Sequence, residues 1–324
     1  MRRMMFAAAI AASVSACTVD DIDTVATSEQ HAEAQNRLAS NRLASNRLAS
    51  NRLASNRLAS NAISATTLLA NLEDAQILEN AEGRDVYSYL ISCALPFDQS
   101  VVADLNYLGA SAPADTNCDA PGTNGENCPN YSCTGGVCTF GGNLGLAPRW
   151  IDHRLDTTGR GWVSSCIFSR VNANEVAEAI SIRGEHASVA VSEDEAGEFS
   201  LQEGAFYGNL FIDDPDASMP PDWNACRGSD KASTPTAGGL GNRKCAEENP
   251  LTPGYTYCGF KYAGDCRDYT PAVPTPYACR TADSVTAGAV GYTIYDDCYN
   301  RAGAGHWSGS KRSRQVLTVY VSNI

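Results

Sequence analysis

Asn36–Ser60 reads NRLASNRLASNRLASNRLASNRLAS, five copies of one pentapeptide without a substitution. How this stretch is read decides where the fold begins. On a helix, five residues turn the chain by about 500°, so successive leucines fall about 140° apart. Leu38, Leu43, Leu48, Leu53 and Leu58 then define no buried face. On a strand, the odd period sends them to alternate sides. A pentapeptide β-solenoid uses about four repeats per coil and needs several coils to enclose a core, which five repeats do not supply. The repeat therefore reads as a solvated spacer, with a dedicated peptide-recognition element as the sharper alternative. Its arginines, Arg37, Arg42, Arg47, Arg52 and Arg57, meet no acid between Asn36 and Ala62. Beside an anionic membrane surface, each would add up to about 1 kcal/mol of attraction.

Upstream lies MRRMMFAAAIAASVSAC, with two arginines, a short apolar run and small residues before Cys17. This is the build of a secretory signal, too short to span a bilayer as a stable helix. Val14-Ser15-Ala16-Cys17 resembles the lipobox of bacterial lipoproteins. The resemblance implies cleavage after residue 16, lipidation of Cys17, and residence in the cell envelope. Thr18 stands where an Asp commonly retains lipoproteins at the inner membrane, so the outer membrane is the expected site. The expected organisation is a signal peptide over residues 1–16, a lipid-anchored linker over 17–65, and a globular body over 66–324, with a break near 212–223 as an option. The linker would span roughly 35–40 Å if flexible.

Of 13 Cys, one is the lipidation candidate, which leaves twelve: Cys93, Cys118, Cys128, Cys133, Cys138, Cys166, Cys226, Cys245, Cys258, Cys266, Cys279 and Cys298. An even, dense set in an exported chain reads as a disulfide framework whose pairing the sequence leaves open. The formal net charge is −13, and the chain beyond Asn61 carries −15. So acidic a body excludes nucleic acid as the expected partner, because neutralising phosphates takes Lys and Arg.

Helical spacing marks Leu68–Leu78 and Val86–Leu95, where Val86, Tyr89, Leu90 and Cys93 fall at i, i+3, i+4 and i+7 before Pro96 ends the run. Val101–Leu108 reads as a short strand. The Gly/Asn-rich loop Cys118–Cys138 has too little apolar content to hold itself without local disulfides. Pro148 suits the first turn of a helix through His153, and Trp162–Val171 forms another. Beyond Asn174 the texture turns to strands: Ala179–Arg183, Ala187–Val191, two over Phe199–Phe211, and a terminal one at Arg314–Val321. Helices first and mostly antiparallel strands later predict a disulfide-rich α+β fold. The segments SCALP, GLAPRW, WVSSC and EGAFYGNLF loosely resemble Cys-rich lipoproteins of myxobacterial type. That resemblance implies a location but no activity and no catalytic residues.

Four His are present, His31, His153, His186 and His306. His153 has Asp152, Asp156, Ser164 and Ser165 nearby in sequence, and His306 sits in Gly305-His306-Trp307-Ser308-Gly309. Both are candidate catalytic bases for a hydrolase, although no G-x-S-x-G elbow accompanies them. Cys128, Cys133 and Cys138 have a spacing open to zinc, but the expected compartment favours disulfides. Asp213, Asp214 and Asp216, and the run Glu193-Asp194-Glu195 near Glu198, offer hard oxygen ligands for calcium without the EF-hand spacing. Tyr and Trp crowd the Cys-rich half, suited to sugar or protein contacts as well as to core packing. The expectation is a binding module for an envelope glycan or surface protein, with no cofactor. The alternative is an envelope hydrolase.

Overall fold

The computed structural model describes residues 37–38, 58–64, 76–113, 131–173, 179–211, 222–230, 243–266, 279–281, 285–301 and 307–322. Fifteen strands are described: β1 (Arg37–Leu38), β2 (Ser100–Asp104), β3 (Tyr131–Thr134), β4 (Val137–Gly141), β5 (Ile180–Arg183), β6 (Leu201–Asn209), β7 (Asp222–Arg227) and β8 (Lys261–Asp265), then β9 (Arg280–Thr281), β10 (Val285–Ala287), β11 (Val290–Tyr292), β12 (Tyr295–Asp296), β13 (Cys298–Arg301), β14 (Trp307–Ser313) and β15 (Val316–Val321). The α-helices that lie wholly within the described residues are α1 (Ala81–Ala94), α2 (Thr157–Ser169) and α3 (Glu193–Glu198). The fold is α+β, mostly antiparallel and rich in disulfides, as the sequence implies.

α1 starts where the Asn80 side chain accepts a hydrogen bond from the Gly83 amide at 2.8 Å, and it ends at Leu95, before Pro96. It is buried on nearly every side, Val86, Tyr87, Leu90, Ile91 and Cys93 all being fully enclosed. One flank packs on the three-stranded antiparallel sheet β2-β4-β3. Phe140 of that sheet lies edge-on to Tyr87 at 4.8 Å and stacks on Tyr131 at 5.1 Å. The β3–β4 hairpin turns on Gly135 (φ 56°) and Gly136 (φ 77°), the two left-handed positions that a type I′ turn requires. Cys133 and Cys138 face each other across this hairpin and are bridged, so neither is a thiolate available to zinc.

The Cys93–Cys166 bridge joins α1 to α2, which lies against β6 and β15. These strands belong to a six-stranded sheet in the order β1-β5-β15-β6-β7-β8, antiparallel except for the parallel β7–β8 pair. Every residue of β15 is buried. Its Leu317, Val319 and Val321 join the main core beneath α2. Val316, on the other side, joins a second cluster with Ala205, Tyr207, Cys226, Ala263, Cys266, Cys279, Tyr295 and Cys298. Because both faces are covered, the strand shows no polar alternation.

The structure departs from the sequence expectations in several places. Leu58, Ala59 and Ile63 are core residues, and β1 pairs with β5, so the repeat is engaged by the fold at both its ends and the packed chain begins before residue 66. Phe199–Phe211 holds one strand rather than two. Gly204 does not break it: a side chain there would strike Cys226 O at 2.2 Å, so the residue is small because β7 comes close. Val101–Leu108 is a strand only to Asp104 and continues as a 3₁₀ helix over Asn106–Ser111. Ala187–Val191 is not a strand but a 3₁₀ turn over Ala187–Val189, capped by the His186 imidazole. The acidic run Glu193–Glu198 is helical, because the Ser192 hydroxyl caps the Glu195 amide and Glu195 is buried. A buried, helical Glu195 is a poor fit to a solvated calcium loop. Of the expected helix Leu68–Leu78, only Gln76–Leu78 is described, as a 3₁₀ turn. Among the described residues, no helix is long and apolar enough to cross a membrane.

Candidate functional site

The cleft that combines ring, charge and imidazole lies where α2 begins. Pro148 opens a 3₁₀ turn, Pro148–Ile151, which buries Trp150 and leaves Arg149 exposed. The chain then runs through exposed Arg154 to Asp156, whose carboxylate caps α2 by accepting from the Gly159 amide at 2.7 Å. Arg160 fixes this corner by donating to Leu155 O and Phe211 O. One turn into the helix, Trp162 presents its ring to His186, with centroids 5.2 Å apart at 72°. Between these groups lies a cavity of about 250 Å³, with Leu146, Ala147 and Leu155 on its apolar side and Arg149, Arg154, Asp156 and Thr158 on its polar side.

His186 is held in one tautomer. Its Nδ1 accepts from the Ser188 amide at 3.1 Å, so the neutral ring carries its proton on Nε2. Burial pushes its pKa below the usual histidine value and keeps it neutral at pH 7. The Ser188 hydroxyl in turn donates to Gly145 O and ties the turn to the cleft wall. The site is therefore an aromatic wall with a neutral imidazole, and with two guanidinium groups and the Asp156 carboxylate on its polar side.

Among the described residues, His153 and the serines near it in sequence do not meet. His153 is exposed, and its backbone N–H donates to Arg149 O. Ser164 is buried and donates to Arg160 O at 2.6 Å while accepting from Leu210 N. Ser165 is also buried and donates to Gln315 O. Both hydroxyls serve the fold. Among the described residues, no serine hydroxyl hydrogen-bonds to His153 or His186. His31, His306, Cys17, Asp213, Asp214 and Asp216 lie outside the described residues.

Ten cysteines form five bridges: Cys93–Cys166, Cys133–Cys138, Cys226–Cys266, Cys245–Cys258 and Cys279–Cys298. Cys118 and Cys128 lie outside the described residues. The sulfurs of Cys226, Cys266 and Cys279 gather within 4.8 Å of one another, a spacing that suits a soft metal. All three are spent in disulfides, so they offer no thiolate ligand. Of the aromatic residues that crowd the Cys-rich half, Trp223, Phe260 and Tyr295 pack in the core, the role expected for most of them, and Tyr257 is exposed.

Sequence reading missed Trp162 and His186 as a pair. Each belongs to an ordinary local pattern, an amphipathic helix and a turn, and only the packing of α2 against the segment after β5 joins them. No protein-family model, curated protein or solved structure matches the chain.

Proposed function

We propose that this chain is an envelope lipoprotein, anchored through Cys17, whose disulfide-fixed body binds a small ring bearing a carboxylate, such as an acidic sugar unit of an envelope glycan. The observation that carries the ligand class is the cleft itself: the Trp162–His186 wall beside Arg149 and Arg154. An indole face or edge takes up the apolar side of a pyranose ring, and a guanidinium at the rim pairs with a carboxylate. The cavity of about 250 Å³ suits one or two such rings rather than a polymer groove. The lipid anchor rests on the lipobox resemblance, and the disulfides are compatible with an exported location.

The test is a tryptophan-fluorescence titration of the exported protein with glucuronic acid, N-acetylmuramic acid and neutral glucose. Saturable binding of the acids, at least about tenfold weaker in Arg154→Gln and abolished in Trp162→Ala, is the expected result. Equal binding of acidic and neutral sugars, or binding unchanged in both variants, would reject the ligand class. Peptidoglycan fragments released when the protein is incubated with peptidoglycan, and lost in His153→Ala or His306→Ala, would replace the binding module with a hydrolase.

A further inference from the structure

Leu58–Ser64, the last repeat and the residues after it, lies in a groove formed largely by main-chain and tryptophan donors. The Trp150 indole N–H donates to both Leu58 O at 3.3 Å and Asn61 O at 3.1 Å. Leu155 N donates to Ala59 O, Ile63 N donates to Trp150 O, and the Tyr87 hydroxyl donates to Ile63 O. Leu58, Ala59 and Ile63 are buried, Ser60 is exposed, and Asn61, Ala62 and Ser64 are partly exposed. The groove thus reads an apolar residue, a small residue, a turn with Asn, and a second apolar residue two positions after the Asn. In sequence this is L-A-S-N-x-[I/L].

That pattern occurs five times. It begins at Leu58 with Ile63 in the last place, and at Leu38, Leu43, Leu48 and Leu53 with Leu in the last place. Moving the chain by five residues puts Leu53, Ala54, Ser55 and Asn56 where identical residues were. It replaces Ala62 by Arg57, at a partly exposed position from which a long side chain reaches water, and replaces Ile63 by Leu58, a volume-conserving exchange. The hydrogen bonds named above fall on the segment's backbone and do not distinguish the copies. At the other end of the repeat, the Arg37–Leu38 pairing with Ser181 and Ile180 is also made through the main chain, and the same dipeptide recurs in every copy.

We infer that the Trp150 groove is a peptide-binding site for L-A-S-N-x-[I/L] whose occupant is this chain's own repeat, taken up in four registers while β1 is paired and in a fifth, from Leu38, when it is not. Exchange within one chain is favoured over capture of a second copy, because the local concentration of a tethered segment is on the order of millimolar. While β1 stays paired, each shift of one register moves five residues, about 16–18 Å when extended, from the span between Leu38 and the groove to the span between the groove and Gln76. The repeat is then an adjustable strap, and its lack of any sequence variation is what makes the registers interchangeable. This inference does not depend on the ligand of the Trp162–His186 cleft.

The test compares four full-length proteins in urea by tryptophan fluorescence: wild type, Ile63→Arg, Leu43/48/53→Ser, and the two sets combined. The leucine set alone should leave the midpoint nearly unchanged, since the native register does not use Leu43, Leu48 or Leu53. Ile63→Arg alone should lower it only slightly, because the Leu53 register takes over. The combination should fall far below the sum of the two. Hydrogen exchange on Ile63→Arg alone gives an independent reading, in which protection moves from the Asn61 amide to the Asn56 amide. An equal midpoint drop for Ile63→Arg in both backgrounds, an unprotected Asn56 amide, or an Ile63→Arg protein that does not fold would each overturn the inference.

Discussion

The two halves of the body are stabilised in different ways. Around α1 and α2, a continuous apolar cluster runs from Leu78 through Leu90, Phe140, Trp150 and Phe168 to Val319, and the bridges Cys93–Cys166, Cys133–Cys138 and Cys245–Cys258 are a minor part of it. Beyond the sheet, the strands are short, the cluster is made largely of alanine, tyrosine and sulfur, and two bridges meet, with Cys226 and Cys279 sulfurs 3.4 Å apart. In the first cluster apolar side chains far outnumber the bridged sulfurs. The second substitutes covalent closure for apolar area, as small cores must.

Removing the bridges is the most direct way to break this contrast. Replacing Cys226, Cys266, Cys279 and Cys298 together by Ala should cost roughly 4–8 kcal/mol, from two closed loops at about 2–4 each. Hydrogen exchange should then show protection lost in β7, β8 and β12 while α1 amides remain protected. Uniform loss would mean the halves are one cooperative unit.

The seam between them offers a smaller but sharper change. Glu203 and Arg243 are both fully buried and paired at 2.6 Å, with Arg243 also donating to Ser169 O at the end of α2. Arg243→Met leaves Glu203 as a buried carboxylate without its cation, a change expected to cost about 3–5 kcal/mol. Denaturant unfolding measures it, and Glu203→Gln combined with Arg243→Met should recover part of the loss. No recovery would mean that Arg243 acts through packing alone.

The smallest expected effect is titration of His186. Its folded pKa lies below the unfolded value of about 6.5, so between the two the unfolded chain binds more protons. Stability is therefore independent of this group above about pH 6.5 and falls as pH drops through that value toward the folded pKa. His186→Asn should flatten the Tm-against-pH curve in that window alone. A curve of unchanged slope there would show that other groups govern it.

How legible this was in the sequence differs by element, for physical reasons. α1 could be read because Val86, Leu90 and Cys93 repeat at helical spacing and Pro96 ends them. β15 could be read because β-branched residues run without interruption. β6 was misread as two strands because Gly204 resembles a break, although it marks the close approach of a neighbouring strand. The helix at Glu193 was hidden by its charge, yet Ser192 followed three residues later by Glu195 is a capping signal. Leu58 was unreadable in principle: a period of five has no face on helix or strand, and only the Trp150 groove selects it. The cleft was half legible. Trp162 lay on an expected helix and His186 in an expected turn, but their meeting depends on tertiary packing.

The entry of the chain at Leu58 also has a mechanical consequence. A load applied from the N-terminal side meets the β1–β5 pairing first and then the Leu58–Ile63 segment hydrogen-bonded to Trp150. The disulfide-closed half lies beyond both. A pull on the strap is therefore spent first in the β1–β5 pairing and then in the groove, two fuses in series, before it reaches the Cys226–Cys266 and Cys279–Cys298 bridges.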